Sequence, residues 1–218
     1  MNAATKSWLF EHVARIGKAI SSPKRLELIE LLAQGEKTVE LLAEQARIDM
    51  RLASAHLRSL REARLVETRR EGKFIHYRLS GPDVARLWVS VREVAEEHLV
   101  ELRVALDQMA AAPDALTSET RESLLAKARS GDIVVIDVRP QAEYAAGHLP
   151  YARSMPLAEL EKRLADLPAG KEIVAYCRGP FCLMSDEAVR LLRQRGYAAH
   201  KMSDGVTEWS ASGLPIEN

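Results

Sequence analysis

Glu172-Ile173-Val174-Ala175-Tyr176 runs into Cys177-Arg178-Gly179-Pro180-Phe181-Cys182, and Leu183 to Arg195 follows, so that a buried strand, a short loop and a helix are expected in that order. The loop holds both cysteines of the 218-residue chain. A cysteine just ahead of a helix N-terminus faces unpaired backbone N–H groups and the positive end of the helix dipole, and both stabilise a thiolate. The loop reads as an anion cradle around a reactive thiol.

On either side of this loop, Thr117 to Arg129 suggests a helix, Ile133 to Val138 a buried β-branched strand, Leu157 to Leu164 a helix, and Ala198 to Met202 a further strand. Strands alternating with helices argue for a parallel α/β sheet, whose ligand sites lie beyond the C-terminal strand ends. The cysteine loop occupies that position. Ala110-Ala111-Ala112-Pro113-Asp114 breaks helical patterning and predicts a linker, giving domains over 1–110 and 117–218 joined by 111–116.

Residues 8–110 read differently. Leu26, Ile29, Leu31 and Leu32, then Val39, Leu41, Leu42 and Ala46, fall at helical spacing. Thr38 is placed to cap the second of these helices, and Ile48-Asp49-Met50 is a turn before a third that ends near Ala63. Leu65 to Arg70 and Phe74 to Leu79 are strand-like, with Glu71-Gly72-Lys73 as the hairpin loop. Helix, turn, helix and hairpin is the order of a winged helix-turn-helix, whose second helix enters the DNA major groove.

In the third helix Ala53, Leu57 and Leu60 share one face, leaving Arg51, Ser54, Ala55 and Arg58 outward. Arg51, Ser54 and Arg58 are candidate DNA contacts, with Arg69, Arg70 and Lys73 supplying charge on the wing. His56 is either a core-edge residue or a phosphate contact. The bland alternative for the whole face is a solvated charged surface.

A long amphipathic segment, with Ser80 and Asp83 as its cap pair, is expected to run as one helix to about Met109. Its apolar stripe, from Val84 through Trp88 and Val94 to Leu106, exceeds what a small domain covers and implies a partner. A second copy is the simplest choice, through this helix over 82–109, and the alternative is a helix packed along both domains of one monomer.

Net charge is zero, yet residues 1–80 hold fifteen Lys and Arg against ten Asp and Glu, and the remainder sixteen against twenty-one. The basic excess lies with the candidate DNA face. No apolar run approaches the ~18 residues of a membrane span and no signal-peptide core is present, so a cytoplasmic location is expected. In that reducing compartment two cysteines five positions apart point to redox or catalytic use rather than a structural staple.

Both halves resemble known families. Ser22-Pro23-Lys24-Arg25-Leu26, Ser54-Ala55-His56-Leu57-Arg58-Ser59-Leu60, Ala63-Arg64-Leu65-Val66 and Gly72-Lys73-Phe74-Ile75-His76-Tyr77-Arg78-Leu79 resemble the ArsR-type winged-helix repressors. That resemblance implies a homodimer, formed through the first and last helices, that releases operator DNA when a ligand or cysteine modification arrives. Where the family's metal sensors carry cysteines, this chain has Leu41, Leu42 and Ala43, and His98 is the only histidine of the last helix. No metal site is expected.

The second half is similar to a rhodanese domain. Asp137-Val138-Arg139 with Glu143-Tyr144 and Gly147-His148-Leu149-Pro150-Tyr151-Ala152, then Cys177-Arg178-Gly179, then Asp204-Gly205-Val206-Thr207-Glu208-Trp209 with Gly213-Leu214-Pro215 follow that family's three signatures. The resemblance implies that Cys177 carries a sulfane sulfur as a persulfide, with no other cofactor. Phosphatases and arsenate reductases of this fold close a longer loop with an arginine at the position of Leu183, so oxyanion chemistry is disfavoured.

Asp137 and Arg139 are expected to brace the loop, and Ser185 to support it from the following helix. Arg178 either turns outward to an anionic donor or forms a surface pair. Cys182 either resolves a Cys177 persulfide into a bridge or is a small apolar residue beneath the loop. The chain therefore reads as two domains, a mainly α winged helix-turn-helix and an α/β rhodanese-like domain. The expected function is a repressor that senses reactive sulfur at Cys177. The alternatives are a thiosulfate or persulfide sulfurtransferase with an attached DNA-binding domain, and a protein-interaction module.

Overall fold

The structure, a computed structural model, describes residues 2–109 and 116–218. The expected linker lies almost wholly outside these, apart from Leu116. The chain folds as two compact units, Met1–Trp88 and Val89–Asn218.

In the first unit α1 (Ala3–Ile20) and α2 (Pro23–Ala33) precede the two-residue strand β1 (Lys37–Thr38), then come α3 (Val39–Gln45) and α4 (Met50–Glu62). The hairpin β2 (Val66–Glu71) and β3 (Phe74–Leu79) completes an antiparallel sheet in the order β1-β3-β2. Its register pairs Val66 with Leu79 and Glu71 with Phe74. Thr38 caps α3 through its side chain, which accepts from the Leu41 N–H at 3.3 Å. Asp49 does the same for α4, accepting from Leu52 N–H at 2.9 Å. Leu28, Ile29 and Leu32 of α2 are buried, as are Leu42 of α3 and Ala53, Leu57 and Leu60 of α4. The expected inward face of α4 is therefore the observed one.

Two expectations about the long helix are corrected. It is divided into α5 (Pro82–His98) and α6 (Val100–Met109) around Leu99. The interruption is local, since Leu99 N–H still donates to the Ala95 carbonyl and the Leu99 carbonyl accepts from Arg103 N–H. Neither proline nor glycine stands there, so the sequence carries no signal for the break. Ser80 does not cap the helix: its Oγ is buried with no hydrogen-bond partner among the described residues. Pro82 opens the helix instead, where its missing N–H is not needed.

The second unit continues with α7 (Arg121–Ser130), β4 (Ile133–Asp137), α8 (Gln141–Ala146), β5 (Arg153–Ser154) and α9 (Leu157–Leu160), the last extended by a 3₁₀ turn over Glu161–Asp166. Then follow β6 (Glu172–Tyr176), α10 (Met184–Gln194), β7 (Ala199–Lys201) and α11 (Val206–Ala211). The four strands are parallel in the order β5-β4-β6-β7. Successive residues of β4 and β6 feed opposite cores. Val134, Ile136, Ile173 and Ala175 pack with Leu160, Ala188 and Leu192, whereas Ile133, Val135, Val174 and Tyr176 pack with Leu124 and Trp209. Burial on both faces is why these strands read as unbroken apolar runs. Trp209 is fully buried and donates from Nε1 to the Pro215 carbonyl at 2.8 Å, a core residue held at both ends.

Candidate functional site

Cys177 is the first residue past β6, and the loop to Leu183 delivers the chain into α10. Its side chain is buried, with Sγ 3.3 Å from Ser185 Oγ and 3.4 Å from the Cys182 carbonyl oxygen. Burial alone would raise the thiol pKa. Hydrogen bonds from the Cys182 and Ser185 side chains and from the backbone of Ser185 and Gly179 outweigh it and lower the value to about 6. Ser185 lies in the first turn of α10, so the expected helix N-terminus does contribute.

The loop is shaped by two close approaches. Gly179 has φ +148°, and a Cβ there would stand 3.1 Å from both carboxylate oxygens of Glu208. At Gly205 a Cβ would lie 2.3 Å from the Arg178 carbonyl oxygen. Glu208 itself is buried, accepts from Gly205 N–H at 2.8 Å, and has its pKa raised by burial. Its position four residues into Gly205-Val206-Thr207-Glu208 follows the N-cap-to-N3 spacing of a capping box, which is the signal that could have found it.

Arg178 does not reach outward. Its guanidinium grips buried Glu143 bidentately, Nε to Oε2 at 2.9 Å and Nη2 to Oε1 at 2.7 Å. Asp137 and Arg139 are also wholly buried and face each other, with Arg139 Nη2 2.6 Å from Asp137 Oδ2 and the Arg139 N–H 3.0 Å from Oδ1. Arg139 Nη2 donates as well to the Gly147 carbonyl at 2.7 Å, and Tyr176 Oη donates to Asp137 Oδ2 at 2.7 Å. The pair thus braces Tyr176, the residue before Cys177, rather than the loop directly.

In the first unit Arg51 and Arg58 are exposed on α4, with Met50, Ser54 and Ala55 around a shallow concavity of about 350 Å³. His56 is half-buried, and burial together with Arg25 lowers its pKa, which places it at the core edge. On the wing Arg69 is held by Glu36, Nη2 to Oε1 at 2.6 Å, and by Glu71 at 2.8 Å. Arg70 donates from Nε to the Gly72 carbonyl at 3.2 Å, and Lys73 Nζ lies 5.2 Å from the Phe74 ring centre.

Two family models match the chain. That described as bacterial regulatory protein, arsR family, covers residues 22–68, and that described as rhodanese-like domain covers residues 120–212. Over 212 residues the chain is 45% identical to the HTH-type transcriptional regulator Rv0324 of Mycobacterium tuberculosis, an alignment spanning 97% of this chain and 93% of that one. The chain belongs to the ArsR-type regulators that carry a C-terminal rhodanese-like domain. A sulfurtransferase of Allochromatium vinosum is 33% identical over 86 residues, 39% of this chain and 78% of that protein. A homodimeric winged helix-turn-helix domain, fragment 1–100 of Mb0332 from Mycobacterium bovis, is 44% identical over 46% of this chain and 94% of its own, with a TM-score of 0.43.

This ArsR-type regulator is thus a DNA-binding transcriptional regulator. Among its described residues no helix is long and apolar enough to cross a membrane. Ser185 reaches Cys177 from α10, whereas the roles of Glu143 and Tyr176 emerge only in three dimensions. Reactivity should follow the thiolate: iodoacetamide labelling of Cys177 is expected to rise with pH through about 6 and level off above about 7, well below the range of an ordinary thiol. Ser185→Ala should move that midpoint upward. A wild-type midpoint above about 8 would contradict the cradle.

Proposed function

We propose that this regulator is a homodimeric repressor in which Cys177 receives a sulfane sulfur and the persulfide so formed weakens operator binding. The observation that carries this reading is the buried, low-pKa thiol of Cys177, 3.3 Å from Ser185 Oγ, in a chain that also bears the winged helix-turn-helix. A persulfide anion takes the place of the thiolate on the same donors, each worth about 1.5–3 kcal/mol to a charged group.

The donor class follows from the loop's own charges. Arg178 is its sole cation and is committed to Glu143, and the sixth loop position is Cys182 rather than a basic residue. A thiosulfate dianion therefore meets no free cation in the loop, and low-molecular-weight persulfides or polysulfides are the better match. Dimerisation accounts for Trp8, Phe10 and Val13, large apolar side chains exposed on α1, and for Val94, Val100 and Val104 along α5 and α6.

Modification shifts DNA affinity only if the persulfide interacts differently with the DNA-competent and DNA-incompetent arrangements, and a tenfold change requires about 1.4 kcal/mol of difference. The test uses a duplex selected from random sequence by the reduced protein. Inorganic polysulfide should raise its dissociation constant by about tenfold or more in wild type and leave Cys177→Ser unaffected. Unchanged wild-type affinity, together with repeated turnover of cyanide or a thiol acceptor, would replace the sensor with a sulfurtransferase.

A further inference from the structure

The loop that begins at Cys177 folds back so that a second cysteine adjoins it. Cys182 N–H donates to the Gly179 carbonyl at 3.1 Å, a turn that folds the chain back so that the Cys182 carbonyl oxygen stands 3.4 Å from Cys177 Sγ. Cys182 packs against the core cluster that includes Cys177, and the two thiols push one another's pKa values apart, Cys177 down and Cys182 up. Cys182 is half-buried and packs with Met184 against the core under the sheet.

We propose that Cys182 is the resolving thiol of this site, converting the Cys177 persulfide into an internal Cys177–Cys182 disulfide. The inference rests on the sensor reading above and specifies its end state. The Cys182 sulfur attacks Cys177 Sγ, and the new Sγ–Sγ bond forms as the bond from Cys177 Sγ to the outer sulfur breaks. The electron pair leaves with the outer sulfur, which takes up the Cys182 proton and departs as hydrosulfide. The sulfane sulfur is reduced to sulfide and the two cysteine thiols are oxidised together, so the persulfide donor is the only oxidant required.

Charge favours this order of events. While Cys177 is a thiolate, its hydrogen bond and negative charge keep Cys182 protonated, the hydrogen bond being the larger cause and burial adding to it. Once the outer sulfur is attached, the negative charge moves one atom outward and that restraint on Cys182 relaxes. A bridged loop also holds the signal after the donor is gone, until a thiol reductant opens it.

The test treats reduced full-length protein with glutathione hydropersulfide and reads intact mass, sulfide released per protomer and reversal by dithiothreitol. Wild type should end about 2 Da lighter than the dithiol, with about one sulfide released and full reversal by the reductant. Cys182→Ser and Cys182→Ala should both stop at the persulfide, about 32 Da heavier, with no sulfide released. Cys177→Ser should show neither product. A wild type that also stops about 32 Da heavier, at Cys177, overturns the resolving role and leaves the sensor reading standing. No added sulfur at Cys177 in any of the proteins overturns both.

Discussion

Replacement of Arg139 by alanine is expected to destabilise the rhodanese-like domain by about 3–5 kcal/mol, the range for stripping one partner from a buried ion pair. Arg139 and Asp137 are both fully buried, so the carboxylate left behind would have no water to turn to. The same guanidinium also holds the Gly147 carbonyl, and Asp137 takes the Tyr176 hydroxyl, so the loss reaches the end of β6 where Cys177 begins. Arg139→Lys keeps the charge and loses the two-pronged geometry, and it should recover only part of the loss. Amide exchange of β4 and β6 under increasing urea is the suitable readout, because the chain has two units and a whole-molecule transition would mix them. A loss below about 1 kcal/mol would contradict the bracing role assigned to the pair.

On the DNA face, Arg51→Ala and Arg58→Ala are each expected to weaken duplex binding by about 1–3 kcal/mol and to reduce its salt dependence where the lost contact is to phosphate. Both side chains stand exposed on α4, the helix that a winged helix-turn-helix presents to the major groove. Arg69→Ala should do much less, because Glu36 and Glu71 already hold that guanidinium and offset its charge on the wing. Fluorescence anisotropy with the selected duplex at two salt concentrations separates these outcomes. An Arg69→Ala defect as large as that of Arg51→Ala would mean that DNA displaces the Glu36 pair and that the wing carries more of the binding.

The residues most visible in the sequence were those whose role depends on near neighbours. β4 and β6 stood out as β-branched apolar runs because both their faces are buried, and α4 because Ala53, Leu57 and Leu60 repeat at the helical period. Cys177 was legible from the strand before it and the helix after it, which fix a strand-end position. Contacts between distant residues left no such trace. Arg178 and Glu143 are 35 positions apart, and nothing in the cysteine loop indicates that its arginine is already spoken for. Glu208 lies against Gly179 through the fold alone. The two-residue strands β1 and β5 are too short for a period-two pattern, and the break at Leu99 follows no helix-breaking residue. Ser80 had the right side chain for a cap, but Gly81-Pro82 set the start of α5 and left the hydroxyl buried.

If the sulfur state of Cys177 and the DNA affinity of the winged domain are linked, the linkage is reciprocal. The most direct measurement is the equilibrium extent of sulfur loading at Cys177, titrated with glutathione hydropersulfide against glutathione, in the Cys182→Ser protein with and without saturating duplex. Bound DNA should resist loading by the same factor, about tenfold or more, by which loading weakens DNA binding. Identical loading curves with and without DNA would contradict the account, leaving a sulfur carrier and a DNA reader that share a chain and do not communicate.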